Sequence, residues 1–321
     1  MIHLTVRAYR WIAGLLTLWA VGAWTAEPAG APPAAAGFAF RDEPGQYLEV
    51  LSRGRPLARY MHAYDKATPQ RLLETYKPYL HVLDPEGKTP ITKGPGGLYP
   101  HHRGIFIGWN KIGFRGKLYD RWHMKGGEQV HQGFALREAT GAQASLTSRV
   151  QWNDEGGGPI LEEERTLRFR PGTGAAYASI DFASALRATV ADVLLDGDPE
   201  HAGVHFRPAD ELDKKQTKYL FPKEDAVPTK DLDYPWVAEA FSLADKRYGV
   251  VLLNHPQNPT GTRFSAYRDY GRFGAFAKAA LKQGEALTLR YRFLILAGEL
   301  PERAVLDAAY REYSAEPTPS R

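Results

Sequence analysis

The sequence predicts an all-β protein, one large antiparallel β-sandwich with a single C-terminal helix. Three observations carry that expectation. Apolar and polar residues alternate with period two through most of the chain, turn signals break the alternation at short intervals, and only one segment has helical periodicity. The aromatic content, with 7 Trp and 17 Tyr in 321 residues, favours strands over helical bundles.

The first segment reads as an address. Arg7 and Arg10 precede an apolar run over 11–23, and Val21-Gly22-Ala23 supplies the small residues of a cleavage site, with a poorer alternative after Ala26. Residues 1–26 are thus expected to be a signal peptide and the protein periplasmic or secreted, the alternative being an uncleaved anchor. The run of 13 residues is short for a bilayer span, and without cysteine no lipid can be attached through a lipobox. Residues 27–37, dominated by Ala, Pro and Gly, read as a tether. The folded domain is expected over 38–321.

Within it, Leu146, Ser148, Val150 and Trp152 share one face of a strand, with Ser145, Thr147, Arg149 and Gln151 on the other. Segments 180–186 and 287–295 repeat the pattern. Further strands are expected at 46–52, 56–62, 79–83, 104–111, 130–139, 160–170, 202–207 and 248–254, separated by turns such as Asp84-Pro85-Glu86-Gly87 and Pro171-Gly172. The helix is expected at 301–313, opened by Pro301. Long connections at 208–234 and 255–263 are candidate walls over a binding face.

Composition narrows the chemistry. Cysteine is absent, which removes disulfides, thiolate metal sites and cysteine nucleophiles. The net charge of +4 comes without any run of five basic residues, so no nucleic-acid partner is indicated. No P-loop, dinucleotide fingerprint, His-Glu-x-x-His or Gly-x-Ser-x-Gly occurs, and nothing in the sequence supports phosphoryl transfer, nicotinamide chemistry or serine hydrolysis.

What remains is histidine, arginine and carboxylate, in three clusters. The first is Tyr99-Pro100-His101-His102-Arg103-Gly104, leading to Trp109. Adjacent histidines on a regular strand point to opposite sides, so they share a pocket only if the backbone is irregular, as Pro100 and Gly104 allow. The second is His201 to Arg207, where His205 and Arg207 share parity and suit a carboxylate, phosphate or polyol. The third runs from Ser265 to Gly274, where Asp269 lies among Arg268, Tyr270 and Arg272 in surroundings that would keep it ionised. His81 and His131 are weaker single candidates, and His255, before Pro256, reads as a loop residue.

The stretch from Tyr79-Leu80-His81 through Pro100-His101-His102-Arg103-Gly104 to Gly108-Trp109 resembles the PmoA-like family of unknown function. So do Asn254-His255-Pro256-Gln257-Asn258-Pro259 and Arg268-Asp269-Tyr270-Gly271-Arg272-Phe273-Gly274. The resemblance covers about residues 47–297. It implies a galactose mutarotase-like sandwich in an exported bacterial protein, and it transfers no catalytic residues. The label "methane oxygenase" attached to that family is not carried over, because a membrane-embedded oxygenase subunit needs several spanning helices and no span is expected in the mature chain.

Two functional readings follow. In the first, an enzyme acts on a carbohydrate or glycoside by acid–base chemistry. His101 or His102 is the acid, His205 assists, Asp269 is the base, Arg103, Arg207, Arg268, His81 and Tyr270 hold substrate, and Trp109 is the stacking platform. No cofactor is required, although a divalent metal between His101 or His102 and His201 or His205 is a variant. In the second, the same face is a non-catalytic glycan- or partner-binding module. Convergence of His101, His102, His205 and Asp269 in one cleft is the structural test.

Overall fold

The computed structural model describes Met1 and residues 37–317, so the leader and nearly all of the tether lie outside the described residues. Strands β1 (Phe38–Glu43), β2 (Tyr47–Ser52) and β3 (Arg55–Met61) form a meander, and helix α1 (Pro69–Thr75) leads to β4 (Tyr79–Val82) and β5 (Ile105–Trp109). A small hairpin follows, β6 (Lys111–Phe114) and β7 (Lys117–Tyr119). A second meander contains the longest strands, β8 (Gln129–Ala139), β9 (Ala144–Asn153), β10 (Pro159–Pro171) and β11 (Ala176–Arg187). After β12 (Val193–Asp196), β13 (Ala202–Phe206) and β14 (Lys218–Leu220) come β15 (Trp236–Leu243), β16 (Lys246–Asn254) and β17 (Arg263–Ser265). The chain ends with β18 (Phe273–Phe276), β19 (Ala279–Leu281), β20 (Ala286–Ala297) and helix α2 (Arg303–Ala315).

These strands make three antiparallel sheets. The first has the order β1-β2-β3-β4-β5-β13-β18-β17, the second β14-β15-β16-β20-β11-β10-β9-β8, and a small third β19-β12-β6-β7. The two large sheets face each other across one core. Leu48, Val50, Ile105, Ile107, Trp109, Val204 and Phe206 come from the first, and Leu146, Trp152, Leu167, Ile180, Phe182, Tyr291 and Phe293 from the second. The sandwich predicted from period two is the observed architecture.

The core also encloses charge. Glu163 on β10 accepts from Arg165 Nε (2.9 Å) and Nη2 (2.8 Å), Trp152 Nε1 (2.8 Å) and Ser184 Oγ (2.8 Å), and both members of the ion pair are fully buried. Four donors satisfy the carboxylate, which is the condition for keeping an ion pair inside a core.

Several elements differ from expectation. The strand expected at 104–111 is two strands, because the chain bends at Asn110 and passes from the first sheet into the third. A seven-residue helix, α1, was not expected; Thr68 caps it by accepting from Arg71 N (3.1 Å), with Pro69 in the first turn. Helix α2 begins two residues later than expected and lays Leu306 and Tyr313 over Trp236, Val251 and Leu253. The connection 208–234 contains β14 and a single 3₁₀ turn, Lys214–Gln216. The other long connection, 255–263, is tied to β20 through Asn258 Nδ2, which donates to Arg290 O (2.7 Å). Among the described residues no helix is long and apolar enough to cross a membrane.

Candidate functional site

The outer face of the first sheet carries the histidines. Phe106 on β5 pairs in register with His205 on β13, and His205 with Gly274 on β18, so these residues form one row across the sheet. Gly274 is required there, since a Cβ would press into the His205 ring. Trp122 closes over the row, its ring 4.8 Å from Phe106 and 4.6 Å from His205. Beneath it Lys77 Nζ, fully buried, donates to Trp122 O (2.8 Å) and sits 4.4 Å from the Phe106 ring centre. Burial, helped by Arg103, holds the Lys77 amine well below its ordinary range.

On this floor stand two turns of the same design. In Asp120-Arg121-Trp122-His123, Asp120 Oδ1 accepts from Trp122 N (3.0 Å) and His123 N (2.8 Å), while Oδ2 bonds His123 Nδ1 (2.8 Å). In Asp198-Pro199-Glu200-His201, Asp198 Oδ1 accepts from Glu200 N (3.0 Å) and bonds His201 Nδ1 (2.9 Å). Each is an Asx turn whose carboxylate also fixes an imidazole three residues on. The carboxylate assigns the ring proton to Nδ1 and leaves Nε2 as the free nitrogen. The His123 and His201 ring centres lie 5.2 Å apart. Burial works to raise the Asp120 carboxyl, but hydrogen bonds from the His123 ring and backbone outweigh it and hold it below the usual range. Asp198 is likewise held low, the His201 charge and hydrogen bond outweighing burial.

His101 completes the row, 4.5 Å from His123 and 4.5 Å from His102. The adjacent histidines reach one side because the backbone is irregular, as expected. Tyr99 has φ 56° and its carbonyl accepts from His102 N (2.9 Å), which turns the chain just before β5. Burial, with the positive charge of Lys77 behind it, pushes His101 down to about 2, so its ring is neutral at pH 7. His102 is buried among Tyr99, Tyr270, Phe106 and Trp122, is also pushed down by burial, and has no partner for Nδ1.

Of the residues expected at the site, His101, His102 and His205 converge. Three assignments change. Trp109 is no stacking platform: it faces the core, fully buried, with its ring 5.9 Å from Trp152. His205 cannot touch a ligand, because it is fully buried, Nε2 donates to Ala202 O (2.9 Å) and Nδ1 accepts from Arg272 Nη1 (3.2 Å). Asp269 is exposed on a turn, and its carboxylate has no hydrogen bond or ion pair. The arginine beside it is taken elsewhere, since Arg268 grips Glu200 through Nη2 (2.5 and 2.6 Å).

The remaining candidates are walls or lie apart. Arg103, buried, donates to the carbonyls of Pro100, His102 and Leu73. Arg207, also buried, donates to the carbonyls of Pro208 and Tyr270 and to Asp210. Tyr270 stacks at 5.0 Å on Tyr99. His81 bonds Tyr79 and Thr92 in a separate cavity of about 200 Å³, and burial pushes it down to about 4. His131 bonds Ser148 Oγ (2.6 Å) and packs against His62 (4.7 Å), and His255 lies at the second sheet.

Sequence reasoning missed Asp120, His123, Asp198 and Glu200, and placed Arg272 beside Asp269 rather than at His205. The signal was present, because Asp-x-x-His occurs at 120–123 and again at 198–201. Among the described residues no three ligating side chains are grouped so as to hold a metal ion. What the arrangement can do is move protons. Two imidazoles with carboxylate-fixed tautomers present free nitrogens beside a neutral third, on a floor walled by tyrosines.

Fold and site thus define a β-sandwich protein with a histidine-lined outer face. The chain belongs to a family of unknown function, DUF6807, which matches residues 47–311. No curated protein matches it. Among solved structures it is similar to a β-arabinopyranosidase (12% identity, TM-score 0.40, 70% of this chain and 37% of that one). It is similar also to the heparan sulfate lyase HepC from Pedobacter heparinus (10% identity, TM-score 0.39, 84% and 37%). A third is a candidate aldose 1-epimerase from Escherichia coli K12 (11% identity, TM-score 0.31, 81% and 99%). The chain spans little more than a third of the first two. At these scores the likenesses carry no argument about chemistry.

Proposed function

We propose that this is an exported enzyme acting on a carbohydrate or glycoside, with proton transfer by the two Asp-x-x-His turns on the outer face of the first sheet. The observation that carries the reading is the facing of His123 and His201, ring centres 5.2 Å apart, each with Nδ1 tied to its own carboxylate. In such a pair one free Nε2 takes the proton of the anomeric hydroxyl, whose oxygen becomes the carbonyl as the ring C–O bond breaks, and the other, in its protonated form, gives its proton to the ring oxygen. In a hydrolysis the proton taken is that of a water forming the new C–O bond, and the proton given goes to the leaving oxygen. Neutral His101 donates or accepts a hydrogen bond beside them. Tyr99 and Tyr267, both partly exposed, supply ring faces at the rim. The expected resemblance to PmoA-like and mutarotase-like proteins fits this reading, and the oxygenase label plays no part in it.

The test is a panel on the purified full chain: polarimetry of freshly dissolved α-galactose, release of nitrophenol from aryl glycosides, and absorbance of the unsaturated product from uronate polymers. One reaction is expected above background and should fall at least about a hundredfold in His123→Ala and His201→Ala, as loss of a general acid or base requires. Binding of sugars without turnover in any reaction would replace this reading with the glycan-binding module, which the free Asp269 carboxylate and the rim tyrosines favour.

A further inference from the structure

The second sheet has its own outer face, and it forms a concavity of about 990 Å³. Thr147, Thr166, Ala183, Ala185 and Thr288 form its floor, from four neighbouring strands in register. The C-terminal end of α2 walls one side, fixed where Glu316 accepts from Arg292 Nη1 (2.6 Å) and Nη2 (2.7 Å). Strand β8 walls the other, where two register shifts turn Gln132 and Leu136 into the cavity.

The charges on this face are arranged unusually. Arg170 and Arg292 are neutralised by Asp181 and Glu316. Arg149, Arg168 and Arg290 also line the cavity, yet none makes an ion pair or a side-chain hydrogen bond, and Arg168 Nε is buried with no acceptor. Arg149 lies directly across from Glu164 in register, and even this pair is unbonded. Arg168 and Arg290 are two strands and one residue pair apart, about 12 Å between Cα atoms by sheet spacing, with Ala183 directly opposite Arg290 on the strand between them.

We propose that this face is a second carbohydrate site, for an oligosaccharide bearing carboxylates, such as a uronate chain. Arg168, with a buried unanswered N–H, asks for an anionic acceptor, and the unpaired Arg290 on the same face adds a second guanidinium for a carboxylate. The threonines, Gln151, Glu162 and Glu164 offer the donors and acceptors that hydroxyls need. The aromatic rings that line it, Phe182, Tyr291 and Tyr313, are buried and offer a neutral sugar no open platform. A protein partner would need larger apolar side chains than Ala183 and Ala185, and an anionic membrane would meet Glu162 and Glu164. The site is independent of the histidine face.

Calorimetric titration of the full chain with trigalacturonate and with maltotriose tests it. Trigalacturonate should bind saturably and more tightly than maltotriose, and weaken as salt is raised. Its affinity should fall at least about tenfold in R168A/R290A. Ala183→Gln, which fills the floor and leaves every charge in place, should block it equally and carries the test if the double variant does not melt cooperatively. His123→Ala should leave binding unchanged. The inference is overturned if trigalacturonate does not bind, if maltotriose binds equally, or if A183Q binds as the parent does. It is also overturned if His123→Ala abolishes binding, which would place the ligand on the histidine face. Dimerisation in sedimentation that R290E reverses would make the face a self-interface and likewise refute it.

Discussion

Replacing Asp120 by asparagine changes one group and keeps the shape of its turn. The amide oxygen can still accept from Trp122 N and His123 N, which the carboxylate meets at 3.0 and 2.8 Å. The NH₂ then faces His123 Nδ1, where the carboxylate oxygen lies at 2.8 Å. Two donors cannot face each other, so the ring proton moves to Nε2 and Nδ1 becomes the acceptor. The free nitrogen that points to the face is thereby lost as a base. A charge-assisted hydrogen bond is worth about 1.5–3 kcal/mol when buried. These side chains are 18% and 25% exposed, so we expect a cost of about 1 kcal/mol, or a Tm lower by about 3 °C. Turnover in the sugar panel should fall by about 10²–10⁴. Nitrogen NMR of the His123 ring reads the tautomer without any substrate. If D120N keeps the proton on Nδ1, the carboxylate does not set the ring. If the tautomer flips and the rate does not change, His123 is not the proton-transfer group.

Other expectations follow from the same packing. Glu163→Ala leaves Arg165 charged and buried, and should cost about 3–5 kcal/mol in urea unfolding, whereas E163L/R165M should lie within about 1 kcal/mol of the parent; a single-variant cost below about 1 kcal/mol would show that Arg165 does not depend on the carboxylate. His81 and His131 are each pushed down to about 4 by burial. Below pH 6.5 the unfolded chain therefore binds protons that the folded chain refuses, so their contribution is whole above that pH and is lost as pH falls towards 4. Melting temperature should drop over that window, less so in a His131→Asn variant, and a flat profile from pH 7 to 4 would contradict the burial. Gly203→Ala places a Cβ against the Ala275 carbonyl at φ +90° and should cost more than about 2 kcal/mol by denaturant titration; a neutral result would mean that β13 and β18 can separate.

The long strands β9, β10, β11 and β20 were legible because one face of each meets solvent and the alternation survives. Strand β15 was not, because α2 covers its outer face and Trp236 to Ser242 are all buried. The third sheet is built of strands of three or four residues, too short for a period of two to be read. In the site, the histidine clusters were visible but not their roles. Trp109 shares parity with Ile105 and Ile107, and that apolar row marked the core face all along. Asp269 attracted attention through its neighbours in sequence, yet Arg268 is bonded to Glu200, a residue 68 positions away, which no local pattern could supply.

The two histidine turns have a shared mounting. One follows β7 and the other follows β12, and both strands belong to the small third sheet. Each is also fastened to the first sheet: Asn110, at the bend from β5 to β6, donates its backbone N to His201 O (3.0 Å) and its Nδ2 to Asp198 Oδ2 (3.2 Å), and Arg121 N in the other turn donates to Trp109 O (2.8 Å). His101 stands just before β5 and His201 just before β13, neighbouring strands of that sheet. His101, His123 and His201 are therefore held by one frame, which fixes the 5.2 Å separation of His123 and His201 and the 4.5 Å separation of His101 and His123 before any ligand arrives. The site is thus preorganised, and a ligand that fits between His101 and His123 spends none of its binding energy on ordering these rings.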